Sequence, residues 1–142
     1  MKKNLLSTFV IFLFTITVHA QKLDDRQVPV ATIMAFQKGY PGIKGKWEKE
    51  NSNYEVNFVR GGQIMSAVID AKGSILETET EITLRDLPAS IALYIKEHYR
   101  GAKIKKAARI LKADRQIEYE AEVQKMDVLF DSNGKFLREE KD

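Results

Sequence analysis

Three glutamates at alternate positions are the residues of this sequence best placed to do electrostatic chemistry. Glu118, Glu120 and Glu122 stand in the segment EYEAEV, so an extended chain puts all three on one face. Lys105 and Arg109, in the segment before it, are predicted to lie across from them. Such a row is either a solvated face with weak cross-strand ion pairs or a polar surface that binds a cationic partner. Proton exchange would need a pocket that shifts carboxyl pKa values, and the sequence indicates no such pocket.

The segment NYEVNF, earlier in the chain, has the same alternation and extends the candidate surface. Its aromatic and aliphatic residues are predicted to face a core, which leaves Glu55 and Asn57 on the opposite, polar face. Trp47, just before this segment, would be a binding anchor if exposed, because aromatic residues dominate interface hot spots. If buried, it is ordinary core packing, which is the interpretation we favour. The candidate surface therefore includes Trp47, Glu55 and Asn57.

The remaining reactive residue types predict no catalytic, metal or cofactor site. The chain has no cysteine, so it cannot form thiolate nucleophiles or zinc–thiolate sites. His98 is the single histidine after residue 20, and a typical metal site needs several converging ligands. The segment DSNG at 131–134 is similar to the start of a calcium loop, but strands are predicted on both sides and no glutamate stands at the twelfth position. It is predicted to be a turn.

The first twenty residues have the pattern of a removable export signal. Lys2 and Lys3 precede an uncharged apolar run at 5–18, and a cleavage site of small or tolerated residues ends at Ala20. The apolar run is shorter than the roughly 20 residues of a spanning helix, which favours removal over an uncleaved anchor. We therefore expect residues 1–20 to be a signal peptide and the protein to be periplasmic or secreted. We expect no stable membrane insertion after the signal is removed.

Charge in the exported part is balanced. The chain has 23 Lys and Arg against 20 Asp and Glu, and the two lysines of the signal leave 21 against 20. A near-neutral domain lacks the basic patch typical of nucleic-acid binding and the block of like charge typical of a membrane-surface helix. No nucleic-acid partner is expected, and the partner predicted is an unidentified protein in the cell envelope or outside the cell.

The chain repeats one pattern twice. The segments VPVATIMAFQKGYPG (28–42) and LPASIALYIKEHYRG (87–101) both open on an aliphatic residue and proline, continue with an amphipathic run and close on an aromatic residue and glycine. Proline suits the first turn of a helix and glycine its end, so each segment is predicted to be helical. We expect residues 21–142 to form a single compact domain made of two repeats, at 28–82 and 87–140.

After each helix the apolar residues alternate, which indicates strands with one buried and one wet face. Turn signals rich in Gly, Asn and Asp separate the strands of each repeat. The predicted fold class is α+β, with two tandem helix-plus-antiparallel-sheet repeats forming one sheet and both helices on one face. The strands are expected at 44–50, 53–60, 63–70 and 74–82, and again at 103–112, 116–124, 126–131 and 135–140.

Short motifs in both repeats carry a family resemblance. They are VP, YPG, WE, YEV and DAKGSILETE in the first repeat, and LP, YRGAKI, YEAEV and LFDSNGKFL in the second. Over about residues 27–140 the chain resembles the putative beta-lactamase-inhibitor-like, PepSY-like family of exported proteins. The resemblance implies an α+β fold of tandem helix-plus-sheet repeats, export, and a role in binding rather than reaction. Lys106 stands where the second repeat would have a counterpart of Trp47, so contacts of this tryptophan are not duplicated.

Two functional hypotheses follow. The first is an exported, non-enzymatic binding module, protein-binding or inhibitor-like, that acts through the open face of its sheet. The alternative is a sensor of a small apolar ligand, with a pocket between helices and sheet lined by Phe36, Met34, Tyr94 and Tyr99. No enzyme activity is expected, because no spacing links serine, histidine and aspartate into a catalytic set.

Overall fold

Residues 21–141 contain nine strands and two helices. A computed structural model describes residues 21–141. Each helix is followed by four strands, and one short strand precedes the first helix. The elements are β1 (Gln21–Leu23), a 3-10 turn (Asp25–Gln27), α1 (Val30–Gly39), β2 (Gly45–Glu50), β3 (Asn53–Arg60), β4 (Gln63–Ile69), β5 (Ile75–Ile82), a 3-10 turn (Leu84–Asp86), α2 (Ala89–His98), β6 (Lys106–Lys112), β7 (Ile117–Val123), β8 (Met126–Asp131) and β9 (Phe136–Lys141).

The strands form one antiparallel sheet in chain order, from β1 to β9. The predicted α+β class is confirmed, and the eight predicted strands match β2 to β9 closely. The largest difference is β6, which begins at Lys106 rather than at residue 103. The sequence pattern missed β1, a three-residue strand, and both 3-10 turns, because segments this short carry no periodicity. Neither helix in residues 21–141 has the length and apolar character needed to cross a membrane.

Helix α1 packs on the first group of strands. Phe36 on α1 is 1% exposed and meets the rings of Trp47 and Phe58 edge-on, at centroid distances of 5.7 and 5.1 Å. Such edge-to-face contacts add to the stabilisation that comes from burying the ring area. The buried residues of this first core cluster are Val28, Phe36, Trp47, Val56, Phe58, Ala67 and Ile69.

Helix α2 packs on the second group of strands in a separate cluster. Ile91 and Ile95 on α2 are 0% and 1% exposed, and they lie four residues apart, on one face of the helix. Tyr94 stacks on Phe136 of β9 at a centroid distance of 5.1 Å. The buried residues of this second core cluster are Leu87, Ile91, Ile95, Ala107, Ala121, Val123, Val128 and Phe130.

Each helix is also held by the turn between the last two strands of its group. The Thr32 hydroxyl donates to the carbonyl oxygen of Asp70 at 2.8 Å, and the Ser90 hydroxyl donates to that of Asn133 at 3.3 Å. In the second turn Asp131 Oδ1 accepts from the backbone N–H groups of Asn133 and Lys135, each at 2.9 Å. The carboxylate is therefore occupied within the turn, as the turn interpretation of residues 131–134 predicts.

The strand register sorts side chains onto two faces, because directly paired residues share a face. One row crosses the sheet through Phe58, Met65, Thr80, Arg109, Tyr119 and Phe130 and includes members of both core clusters. The neighbouring row, on the opposite face, runs through Asn57, Ser66, Glu79, Ile110 and Glu118. This opposite face is called the acidic face below.

Candidate binding surface

Two strands place three glutamates each on the acidic face. In β5 the sequence ILETETEI alternates Glu77, Glu79 and Glu81 with threonine and isoleucine, and β7 does the same in IEYEAEV. Strand β6 lies between them and pairs with both. Its residues on this face are Lys106, Ala108, Ile110 and Lys112. The local period of two therefore sets one row of carboxylates on each side of β6, and on this face β6 is charged only at its ends.

The lysines at the ends of β6 are paired with glutamates. Lys112 forms an ion pair with Glu77 on β5. Lys106 lies 3.6 Å from Glu122 on β7, measured from Nζ to Oε2. Between these ends, Ala108 pairs with Glu81 on one side and with Glu120 on the other. The middle of the surface thus has carboxyl groups on both sides of a small apolar residue.

This arrangement opens a groove of about 320 Å³, called the acidic groove. It crosses strands β3 to β8, and Ala108 of β6 is the small residue on the acidic face that lines its middle. Six carboxyl side chains line it and a single lysine does so, which makes it strongly acidic. The lining residues are Glu55, Asn57, Ile64, Met65, Ser66, Glu79, Glu81, Lys106, Ala107, Ala108, Glu120, Glu122 and Asp127.

Two carboxyl groups of the acidic groove have strongly raised pKa values. Burial raises the pKa of Glu79 to about 7, with added repulsion from Glu55 and other carboxylates. Burial likewise raises the pKa of Glu120 to about 8, with added repulsion from Glu79. Removing a carboxylate from water and placing it beside like charges both favour its neutral form. At neutral pH the groove therefore holds carboxyl groups that are partly protonated. A bound cation would favour their ionised form and displace the protons.

Four of the residues predicted from sequence line the acidic groove: Glu55, Asn57, Glu120 and Glu122. The pKa of Glu55 is also raised, mainly by burial, while a hydrogen bond with Ser66 opposes the rise.

Two further predicted residues lie nearby and are engaged in ion pairs. Glu118 lies on the acidic face beyond the groove and pairs with Arg138, with Nη2 and Oε2 3.2 Å apart. Lys105 precedes β6, and its Nζ lies 3.9 Å from Glu122 Oε1. Both residues border the surface rather than forming its centre.

The predicted position of Arg109 is wrong. Arg109 pairs with Tyr119 and Thr80, which places it on the face opposite the glutamates. The register differs by one residue from the alignment expected from sequence: Glu120 lies across from Ala108, and a shift of one reverses the face.

Trp47 is buried, which confirms the interpretation favoured from the sequence and removes it from the candidate binding surface. It is 5% exposed and belongs to the first core cluster, where it contacts Phe36. Trp47 pairs with Val56, whereas its neighbours Lys46 and Glu48 point to the other face and pair with Asn57 and Glu55. Alternation along β2 therefore decides its burial.

Sequence reasoning missed several acidic residues that complete the groove. Glu79 and Glu81 stand at the same i, i+2 spacing that identified the glutamates of β7, and this signal in ETETE was available. Asp127 and Ser66 carry no comparable pattern. They reach the groove only because β4 and β8 pair next to these strands.

The predicted apolar pocket does not form from the residues proposed for it. Phe36 belongs to the first core cluster, whereas Tyr94 and Tyr99 pack against the second. Met34 is 66% exposed. These four side chains therefore do not line one cavity, because the two helices pack on different strands.

His98 and the carboxyl side chains are the candidate metal ligands of residues 21–141. Residues 21–141 contain no group of three or more histidine, aspartate and glutamate side chains arranged to hold a metal ion. His98 stacks on the Tyr94 ring at a centroid distance of 4.1 Å. Its contact is with an aromatic ring on its own helix.

Comparison with known proteins identifies a family and a shared fold. A family model described as "Putative beta-lactamase-inhibitor-like, PepSY-like" matches residues 52–138. The crystal structure of a putative periplasmic protein from Bacteroides eggerthii is similar, with a TM-score of 0.68 and 19% identity over 80% of this chain and 88% of that one. A BLIP-like protein from Bacteroides fragilis is similar with a TM-score of 0.61 and 22% identity, over 80% of this chain and 86% of that one. No curated protein matches the chain.

Proposed function

The chain belongs to the putative beta-lactamase-inhibitor-like, PepSY-like family, and from this premise we propose that it is an exported, non-enzymatic binding module that holds a protein partner on its acidic face. The observation that carries the proposal is the acidic groove, which six carboxyl side chains from four strands line together with Ala108. Perturbed carboxyl pKa values in a concave site are typical of functional positions.

We also propose that the two helices lie on the same side of the sheet. The two halves are tandem copies, and both helices cover the face opposite the acidic groove. The row from Phe58 to Phe130 supports this, because it joins residues that pack against α1 and α2 on one side of the sheet. With the helices on one side, residues 21–142 form a single compact domain whose other side is free to bind.

Export is supported from two directions. Residues 1–20 have the pattern of a signal peptide. The similar structure from Bacteroides eggerthii is described as that of a putative periplasmic protein. A periplasmic or extracellular partner is therefore the one to search for.

Inhibition is one form that such binding would take. The family description and the similarity to a BLIP-like protein from Bacteroides fragilis support an inhibitor-like role by analogy of fold. The acidic groove adds a physical reason, because an electronegative concave surface accelerates and orients the approach of a positively charged partner.

The test is hydrogen exchange on the protein with and without a partner captured from envelope extract. Binding at the acidic face is expected to protect backbone amides of residues 54–58, 77–81 and 117–123. The variant Glu79→Gln/Glu120→Gln should weaken capture. Glu97→Gln, which removes one charge from the exposed surface of α2, should not.

Two results would contradict the proposal. Protection confined to α1 and α2 would place the partner on the wrong side of the sheet. Equal loss of capture in the Glu97→Gln variant would show that net charge, rather than the groove, controls the interaction.

A further inference from the structure

We propose that the acidic face receives one lysine or arginine side chain of the partner in the acidic groove, with an apolar side chain two residues away resting on Val59 and Ile64. This inference rests on the proposed function and specifies the chemistry of the partner. The partner is thus an extended basic and apolar segment rather than any protein surface of opposite charge.

The cation is inferred from the unpaired centre of the groove. Lys106 and Lys112 already pair with Glu122 and Glu77 at the two ends of β6. Within residues 21–141, Glu79, Glu81 and Glu120 line the groove on both sides of β6 and form no ion pair. A charge-assisted hydrogen bond from an incoming ammonium or guanidinium group would satisfy these carboxylates.

The volume of the acidic groove limits what can enter. At about 320 Å³ it lies at the small end of the range for ligand pockets, which is roughly 300–1,000 Å³. It therefore suits a single long side chain better than a folded surface.

The apolar contact is inferred from two exposed aliphatic residues, of which Ile64 lines the acidic groove and Val59 lines the adjoining one. Val59 and Ile64 pair across β3 and β4 on the acidic face and are 57% and 55% exposed. Ile64 lines the acidic groove and also an adjoining, mainly apolar groove of about 680 Å³ that reaches Ile43 and Phe58. A single exposed aliphatic residue is ordinary, but a pair that joins two grooves offers a continuous apolar surface.

Spacing links the two contacts. In an extended segment, residues i and i+2 point to the same side. A basic residue at one of these positions can therefore enter the acidic groove while an apolar residue at the other rests on the Val59–Ile64 pair. The two sites adjoin because Ile64 lines the acidic groove.

Cation binding at this position should release protons, because carboxyl groups that are neutral in the free protein must ionise. The groups concerned are Glu79 and Glu120. Other charged groups face these two glutamates from the strands on both sides. The pH dependence of cation binding is therefore a property of all these groups together. These groups are Glu50, Glu55, Glu77, Glu81, Lys106, Lys112, Glu118, Glu122, Asp127, Arg138 and Glu140.

The test uses the peptide acetyl-Ser-Lys-Ser-Leu-Ser-amide, titrated into the isotopically labelled protein at pH 8.5 and monitored by backbone amide resonances. Shifts are expected at Ala108, Glu120 and Ile64. Replacing the peptide lysine by glutamine should weaken binding about tenfold, the scale of one charge-assisted contact. Replacing its leucine by serine should weaken binding several-fold through lost apolar burial.

A pH comparison adds a second readout. Lowering the pH to 6 should weaken binding of the lysine peptide by at least about tenfold, because Glu79 and Glu120, with pKa values of about 7 and 8, are then mostly protonated and only the ionised fraction is competent to bind. Binding of the glutamine peptide should not change with pH. In the protein, Glu79→Gln/Glu120→Gln should reduce the pH dependence strongly, whereas Glu97→Gln should keep it.

The inference is overturned if the lysine and glutamine peptides bind equally, if shifts appear only on α1 and α2, or if no shift appears at millimolar peptide. Its failure is distinguishable from that of the proposed function. If a captured partner protects β3, β5 and β7 while the lysine and glutamine peptides bind equally, the acidic face remains the binding surface and only the inferred lysine or arginine contact is wrong. Protection of the helices alone would remove both.

Discussion

Glu120 on β7 lies directly across from Ala108 on β6, and Ala108 pairs with Glu81 on its other side. The small side chain of Ala108 leaves the space above β6 open, so carboxyl groups of two strands face a common groove. The same position with a large or basic residue would fill or neutralise that space. Ala108 thus determines the shape of the surface as much as the glutamates determine its charge.

Ala108→Lys should fill the groove with an internal cation. A neighbouring ammonium group favours the ionised carboxylate, so the pKa of Glu120 should fall by about 1 to 3 pH units. Titration of the glutamate side-chain resonances measures this change, and capture of a partner should be lost. Ala113→Lys, at an exposed position outside β6, adds the same charge away from the groove. An equal fall in the pKa of Glu120 in that control would contradict the predicted geometry.

Stability should decrease as the pH rises from about 5 to about 8.5. Glu79 and Glu120 have pKa values near 7 and 8 in the folded state, above the value of 4.5 expected when unfolded. The folded state therefore binds more protons across this interval, and its free energy of unfolding falls as the pH rises. The combined loss should be about 2 kcal/mol, after allowing for solvent screening of these half-buried groups.

Urea denaturation at several pH values measures this stability change. Glu79→Gln/Glu120→Gln should flatten the dependence and raise the free energy of unfolding at pH 8.5, because glutamine cannot ionise. Glu97→Gln serves as the control and should retain the wild-type slope. Greater wild-type stability at pH 8.5 than at pH 5 would argue against buried, mutually repelling carboxylates.

Trp47 should behave as a core residue. Because it is the single tryptophan of the chain, its fluorescence reports on one site. Emission should be blue-shifted and poorly quenched by iodide in the folded protein, and red-shifted after unfolding. Trp47→Ala should lower the free energy of unfolding by about 3 to 5 kcal/mol through lost burial and a residual cavity. Strong iodide quenching in the folded state would instead indicate an exposed anchor.

Gly134 should tolerate alanine less well than Gly42. Both have positive φ angles, +77° and +75°. A Cβ at Gly134 would lie 2.1 Å from Ser90 Oγ, whereas at Gly42 it would have no neighbour within 4 Å. Alanine at a positive φ angle costs a similar amount at both positions. The difference in the free energy of unfolding between the two variants therefore reports the contact between the turn and α2.

Gly134→Ala should therefore be more destabilising than Gly42→Ala by about 1 to 3 kcal/mol, the usual scale of a forced core contact. Thermal and urea unfolding of the two variants measure it. Equal destabilisation would mean that the turn moves freely away from the helix.

Much of the fold was predictable because its signals are local. Alternation located eight strands, and proline and glycine bounded both helices. The candidate surface was predictable only in part. Glu120 and Glu122 were found through i, i+2 spacing, but Arg109 was assigned to the wrong face because pairing between strands depends on a register that neither strand encodes alone.

The sequence by itself determined the class of the fold, the order of its elements and which strands carry alternating charge, since these follow from periodicity along one segment. Only the tertiary structure decided that Glu79 and Glu120 share a groove, that Ala108 leaves it open and that Trp47 is buried. The physical reason is that face, depth and pKa depend on neighbours from other strands. Those neighbours are brought together by pairing and packing, not by distance along the chain.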